Sequence, residues 1–233
     1  MLASTKTSFS MIDQIRFSSR VTNSIELING VVAYKDLNHR LVHGNKKLLE
    51  YNGYKSVKHI EDKTDCELIW ADFSEIYHRQ ERDALNDIIY PALHPGTDKN
   101  GRFFLFFNRK YPWKNERKEN IGIICHSVEI DDIDFLKKIY HVVKSTGIDV
   151  QKPYYLNHPF LQRISSRESE CLFYLIRGKT AKEIAQQLSL SYRTIEQHID
   201  SLKRKFSCRN KSELISYALK HEYNLYIPQR LLG

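Results

Sequence analysis

The sequence predicts an α+β protein of two domains, an antiparallel sheet with helices followed by an all-α set of four short helices. Three observations carry this. Residues from about Glu26 to Ile130 alternate short β-rich runs with turn signals; beyond Leu161 apolar stripes recur at helical spacing; and a breaker-rich connector, Gly147 to Pro159, separates them. The chain has 233 residues, 41% hydrophobic, enough apolar material for two ordinary cores. The boundaries expected are a loose Ser/Thr-rich segment at 1–22, a sheet domain at 23–130, a helical connector at 131–158 and a helical domain at 159–233.

In the first half, Val31–Asp36 and Arg40–Asn45 flank Leu37-Asn38-His39 and read as a hairpin. NKKLLEYNGY follows as a short helix ending at Gly53. HRQERDALNDIIYPAL is mixed, with Pro91 and Pro95 ending any helix there. Arg102–Trp113 and Ile121–Ile130 are aromatic or β-branched runs around the charged turn KNERKEN, an antiparallel pair. Asp131–Ser145 carries Ile133, Leu136, Tyr140 and Val143 at helical spacing behind an acidic start that suits the helix dipole.

In the second half, Ser165 precedes Glu168 by three residues, Thr180 precedes Glu183 and Asn210 precedes Glu213, each the form of a capping box or a near variant. Gly178 suits the C′ position of the first helix, and Ser191 suits the N-cap of the third. The inward stripes are Cys171, Leu172, Leu175 and Ile176; Ile184, Ala185 and Leu188; Ile195, Ile199, Leu202 and Phe206; and Leu214, Ile215, Ala218 and Leu219. A joint of about three residues, Ser189-Leu190-Ser191, matches a helix-turn-helix.

The formal net charge is +8, and residues 161–212 hold eleven Lys or Arg against five Asp or Glu, so most of the excess lies on these helices. That points to a polyanion as partner. The outward set of the third helix is Arg193, Glu196, Gln197, Asp200, Lys203 and Arg204. Gln pairs with adenine, and a carboxylate accepts from cytosine N4, so acids on this face are compatible with double-stranded DNA when cations outnumber them.

Cys66, Cys125, Cys171 and Cys208 form no C-x-x-C pair and read as thiols rather than metal ligands or disulfides, so no metal is expected. No apolar run is long enough to span a bilayer and no signal-peptide block opens the chain, so a cytoplasmic protein without membrane contact is expected. No Gly-rich phosphate loop, nucleophile elbow or metal-spaced His/Cys set supports an enzyme.

ISSRESECLFYLIRGKTAKEIAQQLSLSYRTIEQHIDSLKRKFSCRNKSELISYAL resembles the LuxR-type helix-turn-helix. The likeness lies in Arg167-Glu168, Gly178, Glu183-Ile184-Ala185, Ser191, Thr194-Ile195, His198, Lys205 and Arg209-Asn210-Lys211 through Leu214. It implies a dimeric, DNA-binding transcriptional regulator. Carried over by position, Glu196, Gln197 and Asp200 face bases, and Lys182, Arg193, Thr194, Lys203 and Arg204 meet phosphates. The fourth helix would supply a dimer contact through Ile215, Tyr217 and Ala218. Many relatives carry basic residues where Glu196 and Asp200 stand. His198 reads as a packed helix residue before a base contact.

The first half resembles a PAS domain from Gly30 to Trp70, through Asp36, Asn45, Gly53-Tyr54 and Thr64-Asp65, with the two later strands closing the sheet. This implies a sensory or dimerising role. Other sensory halves fit less well. A phospho-receiver would need acids earlier than Asp131-Asp132. An acyl-homoserine-lactone domain is matched only by Trp70-Ala71-Asp72-Phe73 and Tyr77. An adaptor acting on RNA polymerase is a further alternative. Cys66 and Cys125 lack the Asn-Cys-Arg context of a flavin sensor, and His78 and His94 are haem-ligand types without supporting context. Phe103, Phe104, Phe106 and Phe107 line a cavity or pack the sheet. No cofactor is expected, and a small-molecule signal is left unidentified.

Overall fold

The computed structural model describes residues 19–97, 103–131, 137, 153–156 and 163–232. Most of the expected helix at 131–145 and of the 147–159 connector lies outside the described residues, as do most of residues 1–22.

Elements follow from local chemistry. After α1 (Ser19–Glu26) come β1 (Val31–Asp36) and β2 (Leu41–Gly44), which pair antiparallel around a turn where His39 takes φ 64°. Asn45 caps α2 (Lys46–Asn52) by accepting from Leu48 N. The same Oδ1 accepts from Val32 N, and its Nδ2 donates to Gly30 O at 2.9 Å, so one buried amide fixes both helix and strand. Gly53 ends α2 in the left-handed region, as its sequence position implies. α3 (Ser74–Leu85) forms in the stretch that reads as mixed. It stops at Asn86, with Asp87 at φ 59°, before either proline is reached. β3 (Ala92–Thr97), β4 (Phe103–Lys114) and β5 (Asn120–Glu129) complete the first half. β5 pairs antiparallel with β1, and Gly122 is required there: a Cβ would lie 2.1 Å from Lys35 O.

The strand order is β2-β1-β5-β4-β3-β6-β7. Its first five strands, with an Asn-led helix and α3 inserted between β2 and β3, make the PAS-like sheet that the resemblance implies. β6 (Tyr154–Leu156) and β7 (Tyr226–Ile227) depart from expectation, since the second half reads as all-α and 147–159 as connector. Both strands are too short for an alternating pattern to register. β6 pairs antiparallel with β3 and parallel with β7.

Two compact units result. The first holds residues 1–89, 96–104 and 108–129, the second 90–95, 105–107 and 130–233. The interior of the first unit holds a cluster of charges. Lys35 Nζ donates to Asp65 Oδ2 at 2.5 Å and to Glu81 Oε1 at 2.6 Å, and Lys110 Nζ donates to the same Glu81 oxygen at 2.5 Å. Trp70 Nε1 donates to Asp65 Oδ1 at 2.8 Å, and Lys110 lies over the Tyr77 ring. All four charged residues are almost fully buried. Burial alone would lower the Lys35 pKa and raise that of Glu81. The mutual attraction of ammonium and carboxylate wins, so Lys35 is raised and Glu81 is held well below the carboxylate range. Two cations balance two anions, which is what makes such burial tolerable.

The second unit contains the four-helix domain. α4 (Ser166–Leu175), α5 (Ala181–Leu188), α6 (Tyr192–Lys205) and α7 (Lys211–Lys220) begin at the caps read from sequence. Ser165 and Thr180 form full capping boxes, while Glu213 turns to Arg209 N and leaves Asn210 to cap alone. Gly178 takes φ +77° after α4. Ile184, Ile195, Ile199, Leu202 and Leu214 are sealed in one core, with α6 packed against α4 and α5. Leu219 is a correction. It is 47% exposed, because the α7 stripe narrows to Leu214 and Ala218 and turns Leu219 away.

Replacing Lys35 with Met should cost about 3–5 kcal/mol in urea unfolding, since Asp65 and Glu81 keep their buried charge without it. Lys114→Ala, which breaks only the exposed 3.0 Å pair with Asp87, should change stability by less than about 1 kcal/mol.

Candidate nucleic-acid interface

α6 is held from behind by one carboxylate. Glu168, at the N3 position of α4, is 4% exposed. Its Oε2 accepts from Ser165 N and from Lys205 Nζ, both at 2.6 Å, and its Oε1 accepts from Ser201 Oγ at 2.6 Å. Ser201 and Lys205 stand one turn apart on the inward edge of α6. Burial alone would raise the Glu168 pKa, yet these hydrogen bonds hold it at about 2. Capping α4 and seating α6 are thus done by the same group.

The opposite edge of α6 faces solvent. Ser191 caps the helix, accepting from Thr194 N at 3.0 Å, and its hydroxyl lies 2.8 Å from Thr194 Oγ1. Arg193, Gln197 and Arg204 are exposed, as is Lys182 on α5. Among the described residues none of these four makes a side-chain ion pair. The two acids differ. Glu196, half-buried, accepts from Lys211 Nζ at 2.8 Å, the first residue of α7. Asp200 pairs with Lys203 at 2.8 Å, and that hydrogen bond lowers its pKa. Each acid is therefore met by a lysine, and the face as a whole stays cationic. Sequence marks Lys211 only as part of Arg209-Asn210-Lys211, not as the partner of Glu196, which lies fifteen positions away on another helix.

The proposed dimer residues on α7 are placed unequally. Ile215 and Tyr217 are half-buried, and Tyr217 stacks on Phe206 with centroids 4.9 Å apart. Ala218 is fully buried, so in this domain it packs the core and offers no surface. His198 is half-buried, in keeping with a packed helix residue.

One set of metal-ligating types meets in the first unit. His39, His78 and Glu81 bring donor atoms within 4.8 Å of one another, with His39 Nδ1 2.5 Å from Glu81 Oε2 and the two rings stacked at 4.4 Å. The residues do not fit a divalent ion. Lys35 and Lys110 both bond the other Glu81 oxygen, so a cation there would meet two fixed positive charges. On β4 the Phe106 side chain is buried and Phe107 half-buried, the alternation of sheet packing; the side chains of Phe103 and Phe104 lie outside the described residues. Among the described residues, no helix is long and apolar enough to cross a membrane.

Glu168 titrates near 2 in the folded protein and at about 4.3 when unfolded, so its contribution is complete above pH ~4.3 and is lost as pH falls toward 2. Allowing for the partly exposed Lys205, Glu168→Gln should cost about 2 kcal/mol at pH 7. Chemical denaturation of both proteins at pH 7 and pH 3 checks this, and the gap between them should shrink at the lower pH.

Residues 162–218 match the family model described as bacterial regulatory proteins, luxR family. The oxygen regulatory protein NreC of Staphylococcus carnosus is 38% identical over 78 residues, covering 34% of this chain and 34% of NreC. The chain thus matches about a third of the length of that curated relative, over one domain. Along nearly its whole length the chain is similar to solved structures of VqmA. The Vibrio cholerae VqmA dimer is 23% identical, with 93% of each chain covered and a TM-score of 0.49. The phage VqmA–DPO complex is 26% identical, with 91% of this chain and 90% of that one covered and a TM-score of 0.46. With its four capped helices and the match over residues 162–218, the C-terminal part of the chain is a domain of the luxR type found in bacterial regulatory proteins.

Proposed function

We propose that the chain is a sequence-specific regulator that binds double-stranded DNA as a homodimer, with α6 entering the major groove and the PAS-like domain modulating the complex. The observation that carries this is the outer edge of α6. Its exposed Arg193, Gln197 and Arg204 stand beside acids already engaged by lysines, and the helix is anchored through Glu168 on its other side. A helix-turn-helix uses this geometry, with base edges read from the N-terminal part of the helix and phosphates held at its flanks.

Gln197 is the clearest base reader, able to pair with adenine. Glu196 and Asp200 can still read cytosine, because each bonds lysine through one carboxylate oxygen and keeps a second to accept from N4. Phosphates fall to Lys182, Arg193, Thr194, Lys203 and Arg204. For the dimer, the exposed Leu219 joins Ile215 and Tyr217 as surface on α7. A signal at the PAS-like domain, small molecule or protein, would alter how two DNA-binding domains match the spacing of operator half-sites. RNA polymerase is the natural further partner of such a regulator, and the cytoplasm its place of action. The domain limits that fit this reading are 23–130 for the sensory part and 159–233 for the DNA-binding part.

Selection of bound duplexes from a random pool by the full-length protein tests the reading. A palindromic pair of half-sites should be enriched, and a pool left without enrichment would count against it. Glu196→Ala and Asp200→Ala should each change the preferred site, while Lys203→Ala should weaken all sites alike. Should both acid replacements merely tighten binding at an unchanged site, the acids are repulsive bystanders rather than readers.

A further inference from the structure

The segment after α7 does not trail away from the helical domain. Glu222 takes φ 58° and reverses the chain, and Tyr223–Leu225 forms a short 3-10 turn leading into β7. Three kinds of contact fasten this segment inside the second unit. Arg177, stacked 3.7 Å over Phe173 at the end of α4, donates to Asn224 O at 2.9 Å. Arg230 lies 3.5 Å from Glu170, itself 1% exposed. β7 pairs with β6 through Tyr155↔Tyr226 and Leu156↔Ile227.

Along this segment runs an unbroken chain of rings. Tyr90, just before β3, meets Tyr155 edge-on at 5.3 Å; Tyr155 meets Tyr226 at 5.2 Å; Tyr226 meets Tyr223 at 5.9 Å; and Tyr223 meets Phe206 at 5.5 Å. All five are buried, and Phe206 is the C-cap of α6. Each separation lies within the range where aromatic pairs attract beyond their area burial. The last turn of the recognition helix is therefore packed, ring on ring, against the strand pair that continues from β3.

We propose that Tyr226 and Tyr155 are positioning residues for DNA recognition, and that the segment Tyr223–Leu232 is a strap through which α6 and β3 are energetically linked. Tyr90, the first residues of β3, β6, β7 and α6 all belong to the second compact unit, so the packed route from β3 to the helix that reads DNA runs within that unit. The inference rests on the DNA-binding reading of α6. Linkage is reciprocal: if the strap couples the two, DNA held by α6 must stabilise the β6–β7 pairing.

Amide hydrogen exchange on the full-length protein, with and without its selected duplex, tests this. In the parent protein, DNA should slow exchange of the Tyr154–Leu156 amides by fivefold or more. Tyr226→Phe should preserve both this protection and the affinity. Tyr226→Ala should keep its helical circular dichroism, bind about tenfold more weakly and lose the DNA-induced protection. Unchanged exchange at Tyr154–Leu156 in the DNA-bound parent would overturn the proposal by itself, even if Tyr226→Ala fails to fold. Binding by Tyr226→Ala within twofold of the parent would also overturn it, leaving the DNA-binding reading intact. A parent protein that binds no duplex would bring down that reading and the strap together.

Discussion

The ionised carboxylate of Glu168 is the constraint on which the geometry of the outer face of α6 rests. An ordinary capping glutamate satisfies one backbone N–H and is otherwise solvated. This one also takes the hydroxyl of Ser201 and the ammonium of Lys205, so the start of α4 and the inner edge of α6 are fixed at one point. With Ile195, Ile199 and Leu202 fully buried on the same side, the axial rotation of α6 is set. The edge opposite Glu168 is left to solvent, and it carries Arg193, Gln197 and Arg204. The acids on that edge do not undo its charge, because Lys211 and Lys203 meet them within the domain.

The first unit solves a different electrostatic problem. Lys35, Asp65, Glu81 and Lys110 come from β1, a 3-10 turn, α3 and β4, and no two are close in sequence. Such a quartet is a weak source of net stability, since desolvation offsets most of the attraction. What it supplies is selectivity of packing: β1, α3 and β4 must all be in place before any one charge is satisfied. The packing of the first unit therefore depends on all of these elements together.

Much of the architecture was legible in the sequence because local chemistry and global fold agree. The Ser165/Glu168 and Thr180/Glu183 pairs, Ser191 and Gly178 mark helix ends that the structure keeps, and Asn45 and Gly53 bracket the short PAS helix as read. What was not legible depends on partners distant in the chain. Tyr154–Leu156 and Tyr226–Ile227 carry too few residues to show a strand period and become strands only by pairing with each other and with β3. Leu219 fits the helical stripe by spacing, yet the core is already closed by Leu214 and Ala218. Glu168 was visible as a capping residue, but its grip on Ser201 and Lys205 requires α4 and α6 to be side by side. The Lys211–Glu196 pair likewise exists only once α7 is docked.

The central claim is that α6 presents a cationic reading edge to duplex DNA while its acids stay paired. The most direct measurement is the affinity of the full-length protein for its selected duplex as salt is raised from about 50 to 200 mM. Four cationic phosphate candidates per protomer, Lys182, Arg193, Lys203 and Arg204, predict for a dimer a linear fall of log K against log salt with a slope steeper than about −4. A slope near zero, with affinity indifferent to salt, would contradict the account.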